Sequence, residues 1–297
     1  MRYRPFGHTG VAVSALSLLL DGANDRRRPD EWRGLVHAAF EAGINAFELS
    51  HPSPALLDGF AEGASAVKRA LLFVAVRADP TIEPRRLEGW VADAIARSGV
   101  GMVNLFTLEA KTPDFEGALV AGLRLKDINL VRSLAVAGEG EAMDEHVEDP
   151  LFDALVTPFG LMSGWRERNL TRTALLRQKG VIACDPCPPE VLALAKDASD
   201  EAKPGFMQRR DQLKGAGTYA FLQETRGWSA EQICLAYALT EPAVATVQME
   251  ISDAQHLSEL AEVPDRDLPS AVTAQIEMAR FSAEAAAAPE ERTKRRA

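Results

Sequence analysis

The stretch Phe47-Glu48-Leu49-Ser50-His51-Pro52-Ser53-Pro54 gathers a carboxylate, an imidazole and two hydroxyls in a few residues. A carboxylate can take or give a proton, an imidazole titrates near neutrality, and a serine becomes a nucleophile only beside a base. A second group, Cys184-Asp185-Pro186-Cys187, has the spacing of a redox or metal-binding pair. Zinc there would need two further ligands, and no second CxxC or HxxxH supplies them, so no metal is expected. With Cys234 the chain has three cysteines, an odd number and too few for a disulfide scaffold. Cys184 and Cys187 therefore read as incidental thiols at a strand end. Glu139, Glu141, Asp144, Glu145, His146, Glu148 and Asp149 could together gather a cation. A charge run of this kind is ordinarily a solvated face. His8 lies in a turn, and His37 and His256 lie on helices, where each reads as a surface or packing residue.

These groups need elements to hold them. Gly43 ends a helical pattern, and Pro52 and Pro54 close the short strand Asn45–Leu49, so Glu48 and its neighbours sit where a buried strand ends. Strand-like runs alternate with helical ones along the chain. The strands are Val13–Leu20, Asn45–Leu49, Leu71–Arg77, Gly101–Leu108, Leu130–Val136, Ala154–Phe159, Val181–Cys184 and Ala245–Met249. Helices are expected over Glu31–Ala42, within Pro54–Arg69, over Pro84–Ser98 and near Phe115–Leu125, with a helical stretch after each later strand. Apolar strands separated by helices indicate parallel strands covered on both faces. Eight such units predict an α/β (β/α)₈ TIM barrel, whose chemistry sits at the C-terminal ends of the strands.

Composition narrows the partners. The 297 residues carry a net charge of -10, with a pI near 5.1, which argues against a nucleic-acid surface. Arg26-Arg27-Arg28, Arg209-Arg210 and Lys294-Arg295-Arg296 are flanked by acidic residues and read as solvated surface. No apolar run is long enough to span a bilayer, and the first residues lack a signal peptide's apolar core, so a bacterial-style cytoplasmic protein is expected. A single barrel domain over residues 1–282 is predicted, with a low-complexity, disordered tail over 283–297.

The opening MRYRPFGHTGVAVSALSL resembles the start of an aldo-keto reductase, where a short hairpin closes the bottom of the barrel. AAFEAGINAFELS, LLFVAVR, GMVNLFTLE, LVRSLAVAG, LVTPFGLM and KGVIACDPC continue the resemblance in order, as does FLQETRGWSAEQICLAYALTEPAVATVQMEISDAQHLSELAEV near the end. The family reduces carbonyls with NAD(P)H through an Asp, a Tyr, a Lys and a His. The resemblance puts Glu48 at the Asp position, Ser53 at or beside the Tyr position, Arg77 at the Lys position and Glu109 at the His position. An alkyl hydroxyl is far less acidic than a phenol, and arginine does not release a proton near neutrality. An ionised Glu109 would repel a developing alkoxide. An ionic cluster of Glu48 and Arg77, with Glu109 as a third member, is the reading these types favour.

The cofactor positions implied by the resemblance depart as well. Ser17-Leu18-Leu19 replaces the glycines after the first strand, putting bulky side chains where space is wanted, and a mouth plugged by Leu18 and Leu19 would favour a non-catalytic barrel. Ala137 and Gly138 replace a Ser-Asn pair, Val156 a Gln, and Leu260 an Asn. Glu250 and Asp253 lie in the segment that takes the adenosine phosphate. The expectation is a reductase-like barrel without conventional NADPH-dependent carbonyl reduction, binding no cofactor and serving a binding or regulatory role toward a small molecule or protein. The alternatives are retained NADPH binding, or an enzyme with chemistry rebuilt on Glu48, Arg77 and Glu109. His51, Asp185 and the thiols could add a further polar site at the same rim.

Overall fold

A computed structural model describes residues 1–23, 26–187, 189, 219 and 221–280. The expected disordered tail and the helix expected directly after the seventh barrel strand fall outside these residues. A hairpin opens the chain, with β1 (Tyr3–Pro5) antiparallel to β2 (Ala12–Ser14). Eight parallel strands then close a barrel: β3 (Leu16–Asp21), β4 (Ala46–Ser50), β5 (Phe73–Arg77), β6 (Val103–Glu109), β7 (Val131–Ala137), β8 (Ala154–Pro158), β9 (Gly180–Cys184) and β10 (Thr246–Met249). β10 pairs with β3, which closes the ring. The predicted (β/α)₈ barrel and its hairpin are thus present.

The run Val13–Leu20 is two elements rather than one strand. The chain leaves the hairpin at Ala15, whose amide donates to the Arg2 carbonyl, before entering the barrel. Leu71 likewise lies outside β5, in a 3₁₀ turn over Arg69–Leu71.

The outer helices are α1 (Pro29–Glu41), α2 (Pro54–Ala64), α3 (Pro84–Ser98), α4 (Phe115–Asp127), α5 (Ala142–His146), α6 (Trp165–Leu176), α7 (Phe221–Glu224), α8 (Ala230–Ala238) and α9 (Ala254–Ala261). Proline occupies the first turn of α1, α2 and α3, where its missing N–H costs no hydrogen bond. Residues 270–280 form a further helical stretch. It packs through Val272, Ile276 and Ala279 against Phe221, Leu222 and Ile233. No helix among the described residues is long and apolar enough to cross a membrane.

Alternation along the strands separates two apolar layers. Leu16, Leu18, Leu20, Phe47, Leu49, Val74 and Val76 pack outward beneath the helices. Leu18 therefore does not plug the mouth; its parity sends it to the helix layer and leaves Leu19 on the inner wall. The inner wall is built largely of small residues, Ala46, Ala75, Ala135, Ala137, Ala154 and Ala245, with Phe6, Phe73, Leu105 and Ile182 among them.

Phe6 seals the lower end. It is fully buried, its ring centroid lies 4.7 Å from that of Phe73, and a Cβ on Gly180 would meet its ring at 2.7 Å. Phe6→Ala would leave a void at the bottom of the barrel. Urea denaturation should show a loss of about 3–5 kcal/mol; a loss below about 1 kcal/mol would mean that the floor collapses to fill it.

Candidate functional site

Glu48, Arg77 and Glu109 lie on the inner faces of three consecutive strands, β4, β5 and β6. Register brings them together: Glu48 pairs with Ala75, two residues before Arg77, and Arg77 pairs with Thr107, two residues before Glu109. The small side chain of Ala75 leaves room for the guanidinium to turn back toward Glu48. Arg77 Nε donates to Glu48 Oε1 at 3.1 Å and Nη2 to Oε2 at 2.9 Å, a two-pronged bond. Nη1 donates to Glu109 Oε1 at 3.1 Å, and Nη2 also reaches Gln248 Oε1 at 3.2 Å. The Gln248 amide in turn donates to Glu48 Oε2.

Sequence reasoning missed Gln248. It reaches the cluster from β10, which meets the first strands only on closure of the ring. The available signal was its polar side chain on the inward parity of a buried strand.

Burial of Glu48 is nearly complete, with a side-chain exposure of 1%, against 19% for Arg77 and 29% for Glu109. Burial opposes the Glu48 charge, but Arg77 and the hydrogen bonds from Arg77 and Gln248 outweigh it and hold the carboxyl below its usual range. Burial also opposes the Arg77 charge, and Glu48 and Glu109 outweigh it, so the guanidinium stays protonated. Burial and the neighbouring Asp185 push the Cys184 thiol up to about 12. Glu48, Arg77 and Cys184 thus each keep one protonation state near neutrality.

The remaining rim groups are engaged elsewhere. Ser53 caps α2, its hydroxyl accepting from the Leu56 amide at 3.2 Å. Ser50 Oγ and Asp21 Oδ1 lie 3.0 and 3.2 Å from the same ring nitrogen of His51, Nδ1. A serine-histidine-aspartate relay needs the hydroxyl and the carboxylate on opposite nitrogens, so these three do not form one. None of the three tyrosines reaches the cluster. Tyr3 donates to the Gly43 carbonyl, Tyr219 to the Met162 sulfur and Tyr237 to Glu277. Lys111 at the mouth pairs with Glu139.

Much of the acidic run after β7 is taken up in ion pairs. Glu141 and Asp144 meet Arg166, and Glu148 meets Arg177. His146 instead stacks near Phe115 and Phe152, and burial lowers its pKa. Among the described residues no three His, Cys, Asp or Glu side chains converge to hold a metal ion.

A cavity of about 250 Å³ opens over the cluster between Arg77, Glu109, Lys111, Gly138, Cys184 and Asp185. A second groove of about 460 Å³ continues from it past Pro158, Phe159, Met162, Ser163 and Cys187. Ala137 and Val156 line the mouth cavity as buried apolar side chains. A Cβ on Gly138 would meet Ala110 and Met143 at 3.0 Å. Glu250 is exposed, and Asp253 caps α9 by accepting from the His256 amide at 2.8 Å. Arg27 lies over Trp32 and donates to the Ser252 carbonyl. Leu260 is buried on α9.

Removing one partner of a buried pair leaves the other charge uncompensated. Arg77→Met should therefore cost about 3–5 kcal/mol in denaturant unfolding at neutral pH. Because the folded pKa of Glu48 is depressed, its contribution is complete above the ordinary value of 4.5 and is lost as pH falls through the lower folded value. The stability gap between wild type and Glu48→Gln should then narrow between about pH 5 and pH 3. A gap that stayed constant over that range would show that Glu48 is not held ionised.

No family model matches the sequence, and no curated protein matches it. Among solved structures, the aldo-keto reductase AKR11C1 from Bacillus halodurans is similar in its holo and apo forms, with TM-scores of 0.72 and 0.71. The matches cover 94% of this chain and 96% of that one, at 14% and 15% identity. At that identity the likeness is one of fold, and the chain shares the barrel of an aldo-keto reductase.

Proposed function

We propose that this aldo-keto reductase-like barrel does not carry out NADPH-dependent carbonyl reduction and acts instead as a binding or regulatory protein. One observation carries the reading: Glu48, Arg77, Glu109 and Gln248 answer one another at the place where a reductase needs a proton donor. Carbonyl reduction requires a group that gives up a proton as hydride arrives. Glu48 is ionised, Arg77 does not deprotonate, and no tyrosine is within reach.

The described residues at the mouth offer a nicotinamide dinucleotide few of the contacts it needs. The inner wall offers Ala137 and Val156 where a carboxamide needs hydrogen bonds, and the Asp253 carboxylate is occupied in capping a helix. The mouth cavity is also smaller than the roughly 300–1,000 Å³ usual for ligand sites. The adjoining groove is large enough for a small molecule, and its Met162 and the nearby Trp165 are exposed. That apolar lip supports binding of a partly apolar ligand or partner segment.

A second reading rests on Glu109, the carboxylate of the cluster that opens onto the cavity. In that reading Glu109 serves as a general base, with Arg77 holding an anionic substrate.

Thermal-shift titration with NADPH tests the proposal. A ligand at a hundred times its Kd stabilises the fold by about 2.7 kcal/mol, whereas NADPH at about 1 mM should leave the melting temperature unchanged. Micromolar NADPH affinity together with NADPH-dependent reduction of a carbonyl panel would overturn the proposal.

A further inference from the structure

The cysteine spacing in the sequence points to Cys184 and Cys187, but the fold pairs different thiols. Cys187 and Cys234 are 47 residues apart, and their sulfurs stand 2.6 Å from each other. Cys187 follows the end of β9, is half-buried, and lines the groove beside the mouth. Cys234 lies on α8, fully buried among Phe221, Ile233 and Tyr237. Cys184 faces the inner wall with the mouth cluster and takes no part in the contact. Among the described residues no third His, Cys, Asp or Glu ligand converges on the Cys187–Cys234 pair.

We propose that Cys187 and Cys234 form a reversible disulfide in response to a peroxide, tying the groove wall after β9 to α8. The accessible member reacts first. The Cys187 thiolate attacks one peroxide oxygen: an S–O bond forms, the O–O bond breaks, and the hydroxide released takes up the thiol proton as water. The Cys234 sulfur, adjacent and shielded from solvent, then attacks the sulfenic sulfur. The S–S bond forms, the S–O bond breaks, and the hydroxyl leaves with the Cys234 proton as a second water. In sum two thiols lose two electrons and two protons, and the peroxide becomes two waters. The hydrogen bond to Cys187, together with burial, pushes the Cys234 thiol up, which fits its place as the second reactant. A dithiol reductant reverses the bond by thiol–disulfide exchange.

The full chain treated with hydrogen peroxide tests this directly. Thiol titration under denaturing conditions should fall from three free cysteines to one and return to three after dithiothreitol. Non-reducing peptide mapping should yield a Cys187–Cys234 cross-link lighter by two hydrogens. Cys184→Ser should retain the cross-link, and Cys187→Ser should abolish it. Oxidised wild type should melt higher than reduced by roughly 5–10 °C, because the bond closes a long loop in the unfolded chain. A Cys184–Cys187 bridge, or sulfinic acid at Cys187 with no cross-link, would overturn the proposal, as would three thiols still free after treatment. Mapping of the wild type distinguishes these outcomes even if a variant fails to fold.

Discussion

A carboxylate sealed inside a barrel must have its charge answered on the spot, and the upper half of this molecule is arranged around that need. Glu48 has almost no contact with solvent. An isolated ion so placed would cost several kcal/mol or take up a proton. Arg77 meets it along both prongs of the carboxylate, and Gln248 supplies a further donor from β10, two strands away across the closure of the ring. The surrounding wall is small-chained because the arginine needs the volume. Ala75 sits at the height of Glu48 and Ala137 at the height of Glu109. Such a pair adds little net stability over apolar packing of the same shape. Its effect is geometric: it fixes the heights of β4, β5, β6 and β10 relative to one another.

The same pairing sets the protonation states within the cluster. Proton transfer at neutral pH needs a group whose two protonation states lie close in energy. Mutual attraction drives Glu48 and Arg77 apart on that scale, the acid downward and the base upward. Cys184 at the same rim is moved out of range by burial rather than by pairing. The contacts that hold Glu48 and Arg77 together are thus the same ones that move both away from proton exchange near neutrality. Beside the mouth the groove lined by Met162, Ser163 and Cys187 is the wider space.

Much of the fold was legible because its strands are short apolar runs cut by proline, glycine and polar residues. Boundaries failed where an apolar residue sits in a turn: Ala15 joined two strands into one, and Leu71 extended β5 backward. Within the site, Glu48, Arg77 and Glu109 were legible as strand-end residues on one rim, and the structure brings all three together. Ser53 has the signature of a helix cap, a serine before a proline at the start of a helical run, and its hydroxyl is spent there. Parity along β3 was enough to send Leu18 outward, and the same rule would have placed Gln248 inward. The contact between Cys187 and Cys234 was not legible. It depends on how α8 packs against the end of β9, and no local pattern encodes that.

Two residues at the rim adopt a left-handed backbone without being glycine: His51 after β4, with φ of 42°, and Asp185 after β9, with φ of 47°. Both follow the last inward-facing residue of a strand, so each turns the chain sharply away from the barrel axis. Aspartate and histidine are among the few non-glycine types that enter this region with any frequency. At His51 the ring lies between Ser50 and Asp21, with Nδ1 3.0 and 3.2 Å from their oxygens. The turn then delivers Ser53 to the start of α2 as its cap. At Asp185 the turn carries the chain from Cys184, on the inner wall, to Cys187, on the groove wall beside α8. A single left-handed residue thus separates two thiols that the sequence places together, leaving one with the rigid ionic cluster and the other within reach of Cys234.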